Sequence, residues 1–311
     1  MKFVFMGTPD FSVGILEELI KEGHECLGVI TQPDKPKGRG HSMQYPPVKE
    51  AALAHDINVY QPQKIRDSEF VQILKSLNAD IFVVAAFGQI LTKEILEMPK
   101  YGCVNVHASL LPKYRGASPI QWAVINGETE SGVTTMQMSE GLDTGDILMV
   151  SKIELDKNET GGSLFDKLSI EGAKLCAKTL KAFENGSITN TKQDDSQATY
   201  TGKIDKRFGR IDWNKSAKEI EQLIRGLNPW PSAFSYIDSK MIKIWQAEIT
   251  DSLEMVEAGS VIRVDKDSFT VKCGTGALKI SELQLEGKKR MDTGSFLRGF
   301  KVEEGMILDT N

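Results

Sequence analysis

Lys2-Phe3-Val4-Phe5-Met6-Gly7-Thr8-Pro9-Asp10 decides the fold class of this chain. Lys2–Met6 is a short apolar run that reads as a buried strand, and Gly7-Thr8-Pro9-Asp10 turns the chain out of it. Ser12–Glu22 follows with Val13, Leu16, Leu19 and Ile20 at helical spacing, and it stops at Gly23. Glu25–Thr31 then reads as a second strand. A strand, a helix and another strand in succession imply parallel strands joined by a crossover.

The pattern continues outward from this unit. A long loop rich in Pro, Gly, Lys and Arg is expected over Gln32–Pro47, then a helix over Val48–His55 and a strand-like Asn58–Tyr60. Helices over Ser68–Leu77 and Lys93–Met98 alternate with apolar strands at Ile81–Ala86 and Cys103–His107. Ile120–Asn126 reads as a helix, and Val133–Met138 with Asp146–Ile153 as an antiparallel pair. Ser163–Glu184 is a long amphipathic helix carrying Leu164, Leu168, Leu175 and Leu180. The expected fold is α/β, a doubly wound, mainly parallel, Rossmann-like sheet.

Asn185–Lys206 is polar and aperiodic, which places a linker at 190–206 between domains at 1–189 and 207–311. After a helix at Ser216–Arg225, short runs separated by turns cover Ala233–Ile237, Met241–Ala247, Gly259–Val264, Ser268–Lys272 and Ala277–Leu285. That spacing suggests a second, smaller, OB-like β-barrel.

Composition narrows the function classes. The chain has 311 residues, 40% hydrophobic and 26% charged, with a net charge of −5. That is an ordinary globular composition with no uniformly basic coat for nucleic acid. The charge is uneven, with 18 Lys and Arg against 17 Asp and Glu from Lys203 onward, and 20 against 26 before it. A nucleic-acid partner would therefore use local patches. No apolar stretch approaches the ~20 residues of a membrane span, and the first apolar run is too short for a secretory signal, so a cytoplasmic location is expected. Cys26, Cys103, Cys176 and Cys273 lie far apart, and the four histidines never pair at ligand spacing, which argues against a metal site.

The turn after the first strand has only the first glycine of a G-x-G-x-x-G cradle, and neither a P-loop nor a G-x-S-x-G elbow occurs. Nicotinamide chemistry, P-loop phosphoryl transfer and the usual hydrolase triad all lose support. The informative stretch is Val104-Asn105-Val106-His107-Ala108-Ser109-Leu110-Leu111-Pro112. Asn105 and His107 are two apart at a strand end, so their side chains leave the same face. One is a neutral donor and the other titrates near neutral pH, a pair suited to holding an oxyanion as a carbonyl becomes tetrahedral. Either Asp143 or Asp146 of the later Gly141-Leu142-Asp143-Thr144-Gly145-Asp146 loop can orient the imidazole. Ser109 beside a leucine pair and a proline has no signature of an activated nucleophile.

Asn105-Val106-His107-Ala108-Ser109-Leu110-Leu111-Pro112-Lys113-Tyr114-Arg115-Gly116, Pro119-Ile120-Gln121, Asn126-Gly127-Glu128 and the Gly141–Asp146 loop together closely resemble the folate-dependent formyltransferases. Phe5-Met6-Gly7-Thr8-Pro9-Asp10-Phe11, Thr31-Gln32-Pro33-Asp34-Lys35-Pro36-Lys37-Gly38-Arg39-Gly40 and Arg225-Gly226-Leu227-Asn228-Pro229-Trp230-Pro231 narrow the resemblance to the methionyl-tRNA formyltransferases, essentially end to end.

The resemblance implies a transferase of translation initiation. It would move a formyl group from 10-formyltetrahydrofolate, the co-substrate, to the amino group of methionyl initiator tRNA, releasing tetrahydrofolate. Asn105, His107 and Asp143 would be catalytic. The pterin would lie by Phe87, Gly88 and Gln89 and by Ser109, Leu110, Leu111 and Pro112. Lys35, Lys37 and Arg39 would meet the acceptor end of the tRNA, and the second domain would steady the tRNA body. Neither a metal nor a membrane is implied, and a monomer is expected. A sugar-nucleotide formyltransferase would share the Ser109–Pro112 motif and a small β domain, but it would not be expected to carry the basic Pro-Gly loop. A non-catalytic RNA-binding protein would not need Asn105, His107 and Asp143 together, and a glycinamide-ribonucleotide formyltransferase would not need a second domain.

Overall fold

A computed structural model of the protein describes residues 1–37 and 42–308. The chain forms two compact units. The first comprises Met1–Pro119, Glu130–Glu154 and Phe165–Thr201; the second comprises Ile120–Thr129, Leu155–Leu164 and the chain from Gly202 onward. The second unit thus takes two short segments from the N-terminal half, which a division at one linker does not include.

The first unit is built on a seven-stranded sheet. In space its strands run Ile147–Glu154, Glu130–Gln137, Cys103–His107, Ile81–Ala85, Lys2–Gly7, Glu25–Ile30 and Val59–Tyr60. From Cys103–His107 to Val59–Tyr60 every neighbour is parallel, and the two strands at the other edge are antiparallel. Phe3 to Met6 and Ile81 to Ala85 are wholly buried because a parallel sheet is covered on both faces, which is why these strands are unbroken apolar runs. The helix Asp10–Lys21 buries Phe11, Ile15, Leu16 and Leu19. Val13 and Ile20, expected in that stripe, lie at its margins, half-buried.

Gly7 is required by crowding. A Cβ there would lie 2.8 Å from both the Phe5 ring and Ser12 Cβ. The helix start is drawn this close by Ser12, whose hydroxyl donates to the Ala85 carbonyl at 2.7 Å.

The described residues on either side of 38–41 form more than a loop. Lys35–Lys37 and Ser42–Gln44 pair as a short antiparallel ribbon, with Pro36 opposite Met43. Lys49 closes its base, donating to both Asp34 oxygens at 2.9 and 2.7 Å and to Gln61 Oε1 at 2.8 Å. The bonds from Lys49 and then Gln61 hold the Asp34 carboxyl below the usual carboxylate range. The polar 185–206 stretch is likewise tied down, since Tyr200–Thr201 pairs in parallel with Arg115–Gly116. Main-chain pairing of two-residue strands carries no hydrophobic period, so the sequence gives no sign of it.

In the second unit the strands run Ala233–Ile237, Lys240–Thr250, Ala277–Leu285, Phe269–Lys272 and Val261–Val264, with Met291–Asp292 beside Ala277–Leu285. All these pairs are antiparallel. Among the described residues no ladder joins the first of these strands to the last. Its core packs Trp213, Ile220, Ile224, Phe269 and Ile280. The Trp213 indole N–H donates to Ser235 Oγ at 3.0 Å, so this buried ring leaves no polar atom unpaired. The helix Ala217–Gly226 opens on a capping box: Ser216 Oγ accepts from the Glu219 N–H, and the Glu219 carboxylate accepts from the Ser216 N–H.

Candidate active site

The strand order reverses between Lys2–Gly7 and Ile81–Ala85. The chain leaves the first toward Glu25–Ile30 on one side and leaves the second toward Cys103–His107 on the other. A crevice outside the carboxyl ends of the strands at such a switch point is the usual ligand position. Thr8 and Phe87-Gly88 lie at those ends. The Phe87 carbonyl accepts from Gln32 Nε2 at 3.1 Å and from Thr8 Oγ1 at 3.4 Å. Gly88 has φ +82°, which an L side chain rarely adopts, so glycine is needed at this turn.

The strand Cys103–His107 alternates as expected. Val104 and Val106 are buried on one face, while Asn105 and His107 leave the other. Asn105 is half-buried, and among the described residues its side-chain amide makes no hydrogen bond. His107 is 7% exposed. Its Nε2 lies 2.9 Å from the Tyr114 carbonyl, which can only accept, so this nitrogen carries the hydrogen. Nδ1 faces Asp143 Oδ2 across 3.8 Å. Asp143 therefore faces the imidazole. Asp146 lies at the foot of the next strand, where its carbonyl accepts from the Gln137 N–H at 2.9 Å.

Asp143 is aimed by its own turn. Its φ is +52°, and its Oδ2 accepts from the Gly116 N–H at 2.8 Å. Asp tolerates this left-handed conformation better than most residues. Gly145 lies against the strand, where a Cβ would meet the Gln137 carbonyl at 1.6 Å.

The Ser109–Pro112 loop is braced from beneath by Thr134, which is wholly buried. Thr134 Oγ1 donates to the Ser109 carbonyl at 2.7 Å and accepts from the Leu111 N–H at 3.2 Å. Ser109 Oγ donates to the Lys113 carbonyl at 2.7 Å, so its hydroxyl is committed to the turn. Leu111 is buried in the fold, and Leu110 is half-buried over Gly132, where a Cβ would come within 2.5 Å of Leu110 Cδ2. The Leu111–Pro112 peptide is cis.

The Phe87 ring belongs to the core formed with Ile65, Phe70 and Leu91. Gln89 spends its side chain on the backbone, accepting from the Ile65 N–H at 2.7 Å and donating to the Pro62 carbonyl at 3.2 Å. With the Phe87 ring in the core, it is the loop backbone at Phe87 and Gly88 that lies at the strand ends. Lys35 is exposed on the ribbon, and Lys37 ends its first strand. Arg39 lies outside the described residues.

Sequence reasoning did not single out Thr134, Tyr114 or Gln193, which hold the site from behind. Thr134 reads simply as a strand residue, and Gln193 sits in the aperiodic stretch with no pattern to mark it. Among the described residues no group of three His, Cys, Asp or Glu is placed to hold a metal ion. No helix among them is long and apolar enough to cross a membrane.

Residues 1–180 match the family model described as formyl transferase, and residues 203–301 match the formyl transferase C-terminal domain. The methionyl-tRNA formyltransferase of Lachnospira eligens is 60% identical over 313 aligned positions, covering 99% of both chains. The chain belongs to the methionyl-tRNA formyltransferase family. The Clostridioides difficile member of that family is 49% identical, covering 99% of this chain and all of its own.

More distant solved structures share the fold. A sugar 3N-formyl transferase, WlaRD, solved with dTDP and 5-N-formyl-THF, superposes with a TM-score of 0.66 at 22% identity, over 93% of this chain and 99% of that one. HypX from Aquifex aeolicus, in complex with tetrahydrofolic acid, gives 0.63 at 17%, over 98% of this chain and 50% of that one.

Proposed function

We propose that this member of the family transfers a formyl group from 10-formyltetrahydrofolate to the amino group of methionyl initiator tRNA, using Asn105, His107 and Asp143. The observation that carries the chemistry is the convergence of an amide with no hydrogen bond among the described residues and an imidazole on one strand end, with a carboxylate 3.8 Å from the ring. Formyl transfer needs donors for a developing oxyanion and a path for a proton, and it needs no covalent nucleophile. A committed Ser109 hydroxyl fits that requirement.

The folate is a substrate here, and it brings the formyl carbon as an amide on its N10. Loop backbone beside a half-buried leucine suits a flat pterin, which has polar edges and apolar faces. Loop backbone at Phe87–Gln89 and Ser109–Pro112 would bind the edges, and Leu110 would cover a face. The Asn105 amide donates to the formyl oxygen as the methionine nitrogen adds to the carbon. His107 is held by Tyr114 through Nε2, so Nδ1 is the nitrogen left for reaction. At 3.8 Å, Nδ1 and Asp143 are too far apart for a direct hydrogen bond, but one water can bond to both. This pair accepts the proton released by the attacking amine and returns one to the departing folate nitrogen. Holding both substrates in one crevice supplies the proximity contribution.

Residues 1–189 carry this chemistry, and the basic ribbon with the 207–311 domain grips the tRNA. The enzyme works as a monomer in the cytoplasm. Titration with a non-reactive folate analogue, followed by amide chemical shifts, tests the donor site. Shifts are expected at Phe87, Gly88, Gln89, Ser109, Leu110 and Leu111. Unmoved signals at both loops under saturation would reject it.

A further inference from the structure

Gln193 sits in the aperiodic stretch after the long helix, yet its side-chain amide makes four hydrogen bonds. Its Nε2 donates to two carbonyls of the Asp143 turn, that of Asp143 at 2.8 Å and that of Gly145 at 2.7 Å. Its Oε1 accepts from Arg115 Nε at 3.0 Å and Nη2 at 2.8 Å. A guanidinium can only donate and the two carbonyls can only accept, so the amide has one possible orientation. Arg115 is itself anchored. It is 1% exposed, and it donates to the Tyr200 hydroxyl at 3.0 Å and the Asp195 carboxylate at 2.7 Å.

Both ends of Asp143 are thereby fixed by one short strand. Gly116, next to Arg115, donates its N–H to the Asp143 carboxylate, while Arg115 acts through Gln193 on the Asp143 carbonyl. The turn needs such a clamp, because Asp143 is in a left-handed conformation that does not hold itself.

We propose that Gln193 is a positioning residue for formyl transfer, setting the distance between Asp143 and His107 from outside the crevice. The inference rests on the catalytic role given to Asp143 above. Gln193 touches neither reacting group, and its effect passes through the turn. Displacements of about 1 Å at a reacting centre cost up to ~100-fold, so a loosened but folded turn should cost about tenfold in turnover.

The test compares Gln193→Leu and Gln193→Glu in the full chain, each with and without Asp143→Asn. Gln193→Glu keeps the acceptor for Arg115 but places an oxygen against the two carbonyls, so it separates loss of the turn contacts from loss of the Arg115 contact. Both variants should lower kcat about tenfold at saturating substrates, with KM for folate and tRNA unchanged. In the Asp143→Asn background neither should lower kcat further. With selectively labelled glycine, the Gly116 amide signal should move in both variants, reporting the carboxylate it binds.

A normal kcat in both variants while Asp143→Asn is strongly impaired would overturn the positioning role alone. An equal loss in both backgrounds would also overturn it, because the effect would not pass through Asp143. A fully active Asp143→Asn would remove the catalytic reading and the positioning role with it. Should Gln193→Leu fail to fold, Gln193→Glu and the Gly116 signal decide the matter.

Discussion

Asn105→Ala, His107→Ala and Asp143→Asn each lose about 100-fold or more in turnover, the usual cost of removing an oxyanion donor or a proton-transfer group. That is about 2.7 kcal/mol of transition-state stabilisation per residue. The fold should survive each change. The Asn105 amide makes no hydrogen bond among the described residues, so truncation leaves no internal group unpaired. Asp143→Asn keeps a side-chain oxygen to accept the Gly116 N–H, so the turn can keep its shape while its charge is lost. His107→Ala removes the bond to the Tyr114 carbonyl. Turnover is measured at saturating concentrations of both substrates, with circular dichroism and the thermal midpoint checking the fold. Near-normal turnover in all three would refute the assignment.

Lys35→Ala, Lys37→Ala and Arg39→Ala combined weaken initiator-tRNA binding and flatten its salt dependence by about two units or more of log–log slope, at ~0.7–0.9 for each lost phosphate contact. Between Thr31 and Lys49 the sequence holds four basic residues and one acid. The structure pairs that acid, Asp34, with Lys49, so the remaining basic residues of the segment, Lys35, Lys37 and Arg39, carry the sequence's excess charge there. Lys35 and Lys37 stand on one strand of a two-stranded ribbon with Pro36 between them, a stiffer support than an open loop. KM for tRNA should rise while folate binding is unchanged. Affinity measured across a salt series for wild type and the triple variant checks this. Superimposable curves would remove the ribbon from the RNA interface and favour a nucleotide-sugar acceptor.

Much of this architecture is legible in the sequence, and the reasons differ by element. Buried parallel strands such as Phe3–Met6 and Ile81–Ala85 announce themselves as apolar runs because both faces are covered. Asn105 and His107 stand out because two polar residues at period two interrupt such a run. Residue spacing left Asp143 and Asp146 equivalent, and the family resemblance favoured Asp143. In the structure, the Asp143 carboxylate faces the His107 ring. The short pairings at Lys35–Lys37 with Ser42–Gln44 and at Arg115–Gly116 with Tyr200–Thr201 depend on main-chain bonds alone, so no side-chain pattern reveals them. Gln193 escapes for a related reason: it is a polar residue among polar residues, and its role comes from two carbonyls fifty and forty-eight positions away.

One comparison of acceptors distinguishes formyl transfer to a tRNA-borne methionine from transfer to any other amine. The intact enzyme is given 10-formyltetrahydrofolate with methionyl initiator tRNA, with free methionine, or with a nucleotide-linked amino sugar, and the initial rate of formylated product is followed. Rapid formylation of the charged tRNA, with neither small acceptor modified at a comparable rate, is the expected result. Rapid formylation of the nucleotide sugar with an inert tRNA would make the acceptor an amino sugar and not methionyl-tRNA.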